Sequence, residues 1–389
     1  MKKKIAILGS TGSIGKNLIN ILKKKPDLFE IKLLSTNKNY KEILSQLKTL
    51  NVKNVIIKDK ESFKKFLKIK PKKVKAYNDF KCFRKIFKKK VDCTMSAISG
   101  LAGLEPTLKI IEYTNHIAIA NKEALICGWN LIKHKLNFHN VTFVPVDSEH
   151  FSIWYAINSL DNYDLIDKIY LTASGGPFVN FSKKKLNNVS VSDALKHPNW
   201  SMGDKISIDS ATMINKVFEL IEARNIFNLS LKKFSIIIHP DSYIHSLLKF
   251  QNGMIKIIAH DTTMKIPILN SMKLNNLIKL NSKKINLQKL NNLNLQKVNY
   301  SKFPIDKILN LIKNKTSLFD TILVTTNDKL VELFLSNKVK FTHIHKYLLD
   351  IINLKKFKIY KKLEPKTLSD IINVNNLVNN YIDKKFNIL

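Results

Sequence analysis

Lys4-Ile5-Ala6-Ile7-Leu8-Gly9-Ser10-Thr11-Gly12-Ser13-Ile14-Gly15 decides the fold. A short apolar run stops at a glycine-punctuated turn, and Lys16–Lys24 follows with helical spacing at Leu18, Ile19 and Leu22. Phe29–Leu34 then reads as a second strand. Strand, glycine turn, helix and strand make a βαβ unit, which seeds a parallel sheet. Gly9 permits the tight turn, Gly12 lets the backbone approach a pyrophosphate, and Gly15 lets the helix pack closely on the strand. The helix then meets the anion with free N–H groups and its positive dipole end. Glycine is scarce, ten residues in 389, yet three fall in the first fifteen positions. After the second strand, an acidic residue would favour NAD. Ser35-Thr36-Asn37-Lys38-Asn39 offers amides and a cation instead, which favours NADP.

Outward from this unit, Val55–Ile57, Val91–Ala97, Ile117–Ala120 and Val141–Val146 read as further strands, so residues 1–150 form an NADPH-binding, Rossmann-like domain. Residues 151–275 mix strands (Lys168–Thr172, Phe234–Ile238, Met254–Ile258) with one strong helix, Ala211–Arg224, as an α+β domain. Residues 276–300 read as a Lys/Asn/Leu-rich linker. Asn-Leu-Gln-Lys occurs there at 286–289 and 294–297 without continuing, so it is composition and not a structural repeat. Residues 301–389 lack glycine and carry apolar residues at helical spacing in Ile305–Ile312, Leu330–Leu335 and Ile344–Ile352. The expected fold class is α/β: an N-terminal doubly wound parallel sheet, a central α+β catalytic domain and a C-terminal helical bundle.

Composition narrows the function classes. Hydrophobic residues make up 44% and charged residues 25%, enough to bury a large core. No apolar run approaches the roughly 20 residues of a membrane helix, and the apolar stretch behind Met1-Lys-Lys-Lys4 is too short for a signal peptide. Cys82, Cys93 and Cys127 have no paired spacing, so a reducing, cytoplasmic setting is expected. The net charge of +36 suggests nucleic acid or a membrane surface. Yet Arg84 and Arg224 are the only arginines among 66 basic residues, and arginine is the residue suited to bidentate phosphate and base contacts. A solvated lysine surface without nucleic-acid or membrane partners is expected.

Several segments carry possible chemistry. In an extended Pro145-Val-Asp147-Ser148-Glu149-His150, the two carboxylates point one way and His150 the other. Such a pair either sits in water or holds a hard cation, Mg2+ or Mn2+ before Zn2+. Asp209 or Ser210 is expected to cap the helix that follows, on which Asn215, Lys216 and Glu219 share a face. That face is either an ordinary Lys–Glu surface pair or a phosphate and metal site. Ala173-Ser174-Gly175-Gly176-Pro177 is either a hairpin turn or backbone brought close to an anion. Trp200 and Met202, in His197-Pro-Asn-Trp-Ser-Met-Gly203, either pack into a core or close over a ligand. His239 and His245 read as structural histidines.

Taken together and in order, Gly9–Gly15, Asn121-Lys122-Glu123, Pro145–His150, Ser174–Phe178, His197–Gly203, Ile208–Ala223 and His239–Ser246 resemble the 1-deoxy-D-xylulose 5-phosphate reductoisomerase family over essentially the whole chain. The resemblance implies a homodimeric, cytoplasmic enzyme of the non-mevalonate isoprenoid route. It would use NADPH and Mg2+ or Mn2+ to convert the sugar phosphate 1-deoxy-D-xylulose 5-phosphate to 2-C-methyl-D-erythritol 4-phosphate. The family's reaction is usually written as retro-aldol cleavage, re-addition and hydride reduction of the branched aldehyde. It further implies that Thr11, Gly12, Ser13, Ile14, Asn37, Lys38, Asn39, Asn121, Glu123 and Gly203 contact NADPH. Asp147, Glu149 and Glu219 would bind the metal. Ser174, Ser210, Asn215 and Lys216 would grip the phosphate, Lys122, Ser148 and His197 would line the substrate, and the Trp200–Met202 loop would be the lid. Lys122, Asp147, Glu149, His197, Lys216 and Glu219 are the implied catalytic set. Asn37 stands where the family commonly has glycine, asparagine being tolerant of positive φ. Asp241, Lys265 and Thr326-Asn-Asp328 are further departures. A semialdehyde dehydrogenase with the same N-terminal fingerprint is the alternative enzyme class, and it needs a cysteine nucleophile.

Overall fold

Ile5, Ala6, Ile7 and Leu8 are wholly buried because β1 (Lys3–Leu8) has a parallel strand on each side, β2 (Phe29–Thr36) and β5 (Cys93–Ser96). A strand covered on both faces and both edges reads as a continuous apolar run. In the computed structural model, residues 2–158, 160, 163–281 and 284–387 are described. They fall into two units.

The first unit comprises Met1–Ala124, Ile132–Trp154 and Thr263–Ser282. Its sheet adds β3 (Asn54–Ile57), β4 (Lys75–Tyr77), β6 (His116–Ile119) and β7 (Thr142–Pro145) in the order β4-β3-β2-β1-β5-β6-β7. Every neighbouring pair is parallel. The order reverses direction at β1, and ligands of such sheets bind at the carboxyl ends of the strands at this switch point. The glycine turn lies there. Gly9 has φ +80°, and a Cβ on it would stand 2.5 Å from the Ala97 carbonyl oxygen beyond β5. A Cβ on Gly15 would collide with the Gly9 carbonyl and stand 2.5 Å from the Ser10 Cα, so only glycine lets the helix Ser13–Leu22 start this close to the strand. Lys265–Ser271, read from the sequence with the central domain, belongs to this unit. Ile268, Leu269 and Met272 join the core formed by Ile5, Ile7, Leu18 and Ile31. His116 pins it: its Nε2–H donates to the Ser271 carbonyl at 2.5 Å, and burial pushes its pKa down to about 4.

The second unit comprises Leu125–Leu131, Tyr155–Thr262 and Lys283–Leu389. Its sheet runs β11-β10-β8-β9, from β8 (Ile166–Ala173), β9 (Phe234–Ile238), β10 (Ile244–Phe250) and β11 (Ile255–Ala259). β8 and β9 are parallel, and the other pairs are antiparallel. The segment 284–300 holds a short helix, Leu287–Asn291, and Gln296 bridges to Ile238 on β9. Residues 282 and 283 of the expected linker lie outside the described residues. Leu318–Leu335, Phe341–Ile352 and Leu368–Lys385 form the C-terminal helical region.

The expected helix Ala211–Arg224 is two helices. Asp204–Ala211 ends at Thr212, Met213 turns left-handed at φ 62°, and Ile214–Phe227 begins without a side-chain cap. Neither Asp209 nor Ser210 caps the second helix; both lie inside the first. Asp209 instead accepts from Asn327 at 2.7 Å and pairs with Lys205 at 2.9 Å. The second helix is buried almost throughout, and Arg224 fixes its far end. Its guanidinium donates to Asp320 Oδ2 (2.8 Å), Asn225 Oδ1 (2.8 Å) and the Lys313 carbonyl. Burial pushes the Asp320 pKa up, and the Arg224 charge offsets only part of that rise. Asp320→Asn would leave a buried guanidinium uncompensated, so it is expected to cost about 3–5 kcal/mol of stability. Urea unfolding of the variant beside the parent measures this, and a loss below about 1 kcal/mol, the level of an exposed pair, would refute it.

Candidate functional site

In the first unit, the end of β1 presents a dinucleotide cradle. Gly12 is the N-cap of Ser13–Leu22 and provides no side-chain cap, so the first-turn N–H groups face outward for an anion. Thr11 and Thr36 share a hydroxyl–hydroxyl bond of 2.7 Å, which ties the glycine turn to the end of β2. Nothing in the sequence marked Thr36. Asn37, Lys38 and Asn39 follow, all exposed. Asn37 is not among the residues with positive φ, so its side chain is accommodated without left-handed strain. Asn39 caps the helix Tyr40–Thr49 by accepting the Glu42 N–H at 3.1 Å. Lys38 lies between the two asparagines with its side chain exposed.

Asn121 is 2% exposed and engaged at both ends of its amide. It donates to the carbonyls of Ile98 and Gly100 and accepts the Ala124 N–H at 2.7 Å. It thereby braces the loop beyond β5 and caps the helix Lys122–Cys127. Lys122 and Glu123, each 8% exposed, follow directly.

The reading of 145–150 as extended is overturned beyond Pro145. β7 stops at that residue, and a helix, Ser148–Ile157, starts three residues later. Asp147 precedes the helix: its Oδ1 accepts the Glu149 N–H at 3.2 Å and its carbonyl accepts the Phe151 N–H at 2.8 Å. Aspartate before an acidic first turn is a helix-start signal that the alternation argument ignored. His150 does not point away from Asp147. Its Nδ1 lies 3.1 Å from Asp147 Oδ1, and it is fully buried. Asp147 Oδ2 accepts from Lys122 Nζ at 2.8 Å, and Ser148 Oγ donates to Glu149 Oε2 at 2.6 Å. One helix start thus gathers two carboxylates, an ammonium and a hydroxyl.

In the second unit, Glu219 receives the Asn215 amide on Oε1 and the Lys216 ammonium on Oε2, the latter at 2.6 Å. Lys216 is 6% and Glu219 1% exposed, so this face is not an ordinary surface pair. Ser174-Gly-Gly-Pro is not a hairpin turn, because β8 and β9 are parallel. Its glycines serve close packing. Gly176 has φ +67°, and a Cβ there would lie 2.8 Å from the Ser210 carbonyl oxygen and 3.0 Å from the Ala211 Cα. The backbones bearing Ser174 and Ser210 are therefore in direct apposition.

His197 Nδ1 accepts two backbone N–H groups, from Asn199 and Trp200, each at 3.1 Å. The proton of the neutral ring therefore sits on Nε2, which donates to Ser174 Oγ at 2.9 Å. Ser174 Oγ also accepts the Gly176 N–H at 3.1 Å, leaving its own hydrogen as a donor for a ligand. Asn199, which the sequence reading passed over, closes the turn by donating to Ser242 Oγ at 2.8 Å and to the Pro240 carbonyl. Trp200 and Met202 are half-buried, not core, and the Trp200 ring meets His245 edge-on at 6.3 Å. His245 stacks on His260 at 3.7 Å. Gly203 is the exposed N-cap of Asp204–Ala211. Cys82, Cys93 and Cys127 are buried, and burial raises the Cys82 and Cys93 thiols, so neither of these two is an activated nucleophile.

Burial, then the Lys216 charge, push the His197 pKa down from 6.5 to about 4. The unfolded chain takes up this proton first as pH falls. The stability from the neutral ring is complete above pH 6.5 and is lost towards pH 4. An NMR titration of labelled histidine is expected to place the His197 midpoint near 4. A midpoint near the ordinary value would contradict the tautomer assigned above.

A family model described as 1-deoxy-D-xylulose 5-phosphate reductoisomerase matches residues 5–128. Models of its C-terminal domains match residues 143–227 and 261–381. The 1-deoxy-D-xylulose 5-phosphate reductoisomerase of Pelagibacter ubique is 55% identical over 381 residues, 97% of each chain. That of Clostridium tetani is 36% identical, covering 99% of this chain and 100% of its own. Among solved structures, the Zymomonas mobilis reductoisomerase in complex with NADPH superposes with a TM-score of 0.86 at 29% identity, over 100% of both chains. A reductoisomerase in complex with NADPH, fosmidomycin and magnesium gives 0.91 at 29% identity, over 99% of this chain and 98% of that one.

Proposed function

The chain belongs to the 1-deoxy-D-xylulose 5-phosphate reductoisomerase family, NADPH-dependent oxidoreductases of isoprenoid biosynthesis, and we propose that its residues divide the reaction as follows. The substrate is 1-deoxy-D-xylulose 5-phosphate and the product 2-C-methyl-D-erythritol 4-phosphate.

The uncapped helix start behind Gly9–Gly15 fits the cofactor pyrophosphate. Thr11, Gly12, Ser13 and Ile14 hold it, and Asn37, Lys38 and Asn39 meet the 2′-phosphate end. Asn121 and Glu123 shape the wall of the crevice, and Gly203 completes the cofactor contacts. For the cation, the donor set is Asp147, Glu149 and Glu219, all hard oxygens, which suits Mg2+ or Mn2+. When bound, NADPH supplies the hydride, and the divalent cation supplies a Lewis acid for the substrate's ketone and hydroxyl oxygens.

The protein's own side chains do the rest. Ser174 and Ser210 donate hydroxyl hydrogens to the phosphate, Asn215 an amide N–H and Lys216 an ammonium. This grip lies away from the carbons whose bonds change, so both fragments are retained while the skeleton is rearranged. Lys122, oriented by Asp147, presents N–H groups to substrate oxygens, and Ser148, whose hydrogen goes to Glu149, offers its oxygen to a substrate hydroxyl. His197 keeps its proton on Nε2 and sets the Ser174 hydroxyl. The Trp200–Met202 loop excludes water from the reacting groups. The observation that carries this reading is the buried Asn215–Lys216–Glu219 face, because its charges are stabilised by an anionic ligand and a cation.

We expect NADPH oxidation to require both the sugar phosphate and a divalent cation, and EDTA to abolish it. Glu149→Gln and Glu219→Gln should each lower kcat/KM about a hundredfold or more, a loss of several kcal/mol of transition-state stabilisation. Full metal-dependent activity in either variant would remove the metal assignment.

We also propose a homodimer in the cytoplasm. The buried cysteine thiols Cys82 and Cys93 suit a reducing setting, and among the described residues no helix is long and apolar enough to cross a membrane. β11 is a sheet edge with Met254, Ile255 and Ile257 exposed by 66%, 59% and 43%, an apolar row that strand pairing with a second copy would cover. Light scattering is expected to give twice the 44.8 kDa chain mass and, for Ile257→Lys, the monomer. A parent protein eluting as monomer would refute the dimer.

A further inference from the structure

Ser301-Lys302-Phe303-Pro304 lies far along the chain from the glycine pair, and the sequence gives no reason to single out one more lysine. The structure does. Lys302 Nζ donates to three main-chain carbonyls of one turn, those of Phe178 (3.1 Å), Val179 (2.5 Å) and Phe181 (3.0 Å). An ammonium has three hydrogens, and all three are used. The side chain is half-buried against the Phe303 ring, 5.0 Å away, and burial lowers its pKa. A screened surface lysine has none of these features.

The glycine end of the turn it serves is weakly fixed by the turn's own main chain. Gly175 and Gly176 are both left-handed, with φ of +82° and +67°. The bond from the Phe181 N–H to the Phe178 carbonyl is ordinary, at 3.0 Å, but the one from the Val179 N–H to the Gly176 carbonyl is long, at 3.5 Å. Three carbonyl dipoles converging on one point repel one another unless a cation sits there. With the ammonium removed, the carbonyls would turn to water and the turn would relax. The Gly176 N–H is part of the same turn, and it is one of the two donors that leave the Ser174 hydroxyl hydrogen to a ligand. Phe178, 1% exposed and 4.9 Å edge-on to Phe341, anchors the turn from the apolar side. That contact fixes where the turn sits but not which way its carbonyls point.

We propose that Lys302 is a positioning residue: by chelating the carbonyls of 178, 179 and 181 it holds the 174–181 turn in the form that aims the Ser174 hydroxyl at the substrate's phosphate. This rests on the assignment of Ser174 to phosphate binding. Lys302 touches neither substrate nor cofactor.

The test is a double-mutant cycle between Lys302→Met and Ser174→Ala in the full chain, read as KM for the sugar phosphate, kcat, the inhibition constant of inorganic phosphate and NADPH affinity. Lys302→Met is expected to raise KM and the phosphate inhibition constant about tenfold or more, as misplacement of a binding group does. NADPH affinity should stay at the parent value and kcat should change much less than KM. Lys302→Arg, which keeps the charge and several donors, should recover most of the loss. In the Ser174→Ala background Lys302→Met should add nothing. A parental KM in Lys302→Met, or the full effect on top of Ser174→Ala, would overturn the positioning role alone. A parental KM in Ser174→Ala itself would remove the phosphate role of Ser174 and this proposal with it. Lys302→Gln, which serves one or two of the carbonyls, gives an intermediate KM and replaces Lys302→Met should that variant fail to fold.

Discussion

The buried pair between Arg224 and Asp320 is the constraint on which the second unit depends. The helix Ile214–Phe227 carries Asn215, Lys216 and Glu219 near its start, and it has almost no solvent-facing side to fix its rotation. Arg224, about two turns further on, does that with a planar fork satisfying a carboxylate, an amide and a main-chain carbonyl at once. An ammonium has no such geometry. Of the chain's two arginines, Arg84 is exposed and Arg224 is 3% exposed. The arginine-poor composition that argued against nucleic acid thus also marks where lysine fails. If the helix turned about its axis, Lys216 and Glu219 would move together, and the Lys216 charge would shift relative to His197, whose pKa it lowers.

The first βαβ unit was legible because its signals agree: a fully buried strand, three glycines and a helical period. The strand positions along β1 to β3 and β5 to β9 follow the apolar runs closely. β10 was missed because His245 and Ser246 interrupt its apolar run, although both are buried. The return of Lys265–Ser271 to the first unit was also invisible, since it depends on packing against a helix some 250 residues earlier in the chain. Leu368–Lys385 was overlooked although Ile371, Val374, Val378 and Ile382 keep helical spacing; its asparagines hid the stripe.

The candidate site could be named from the sequence as a set of residues, but its geometry could not. Asn215, Lys216 and Glu219 on one helix face followed from spacing alone. Asp147 did not, because strand alternation was carried through to His150, past the point where Asp147 starts a helix. Met213 gives no signal, since a left-handed methionine is fixed only by the helices on each side. The contacts that set side-chain direction, such as Thr36 on Thr11 and Asn199 on Pro240 and Ser242, link positions about 25 and 40 residues apart. A single sequence carries no mark of such pairings.

The apposition of Gly176 with Ser210 and Ala211 has a consequence for rigidity. Main chain rests on main chain there, so the separation of the two serine-bearing backbones is set by van der Waals contact and not by adjustable rotamers. The join behaves like a hinge welded shut. Even a methyl group in place of the hydrogen on Gly176 would wedge the two segments apart.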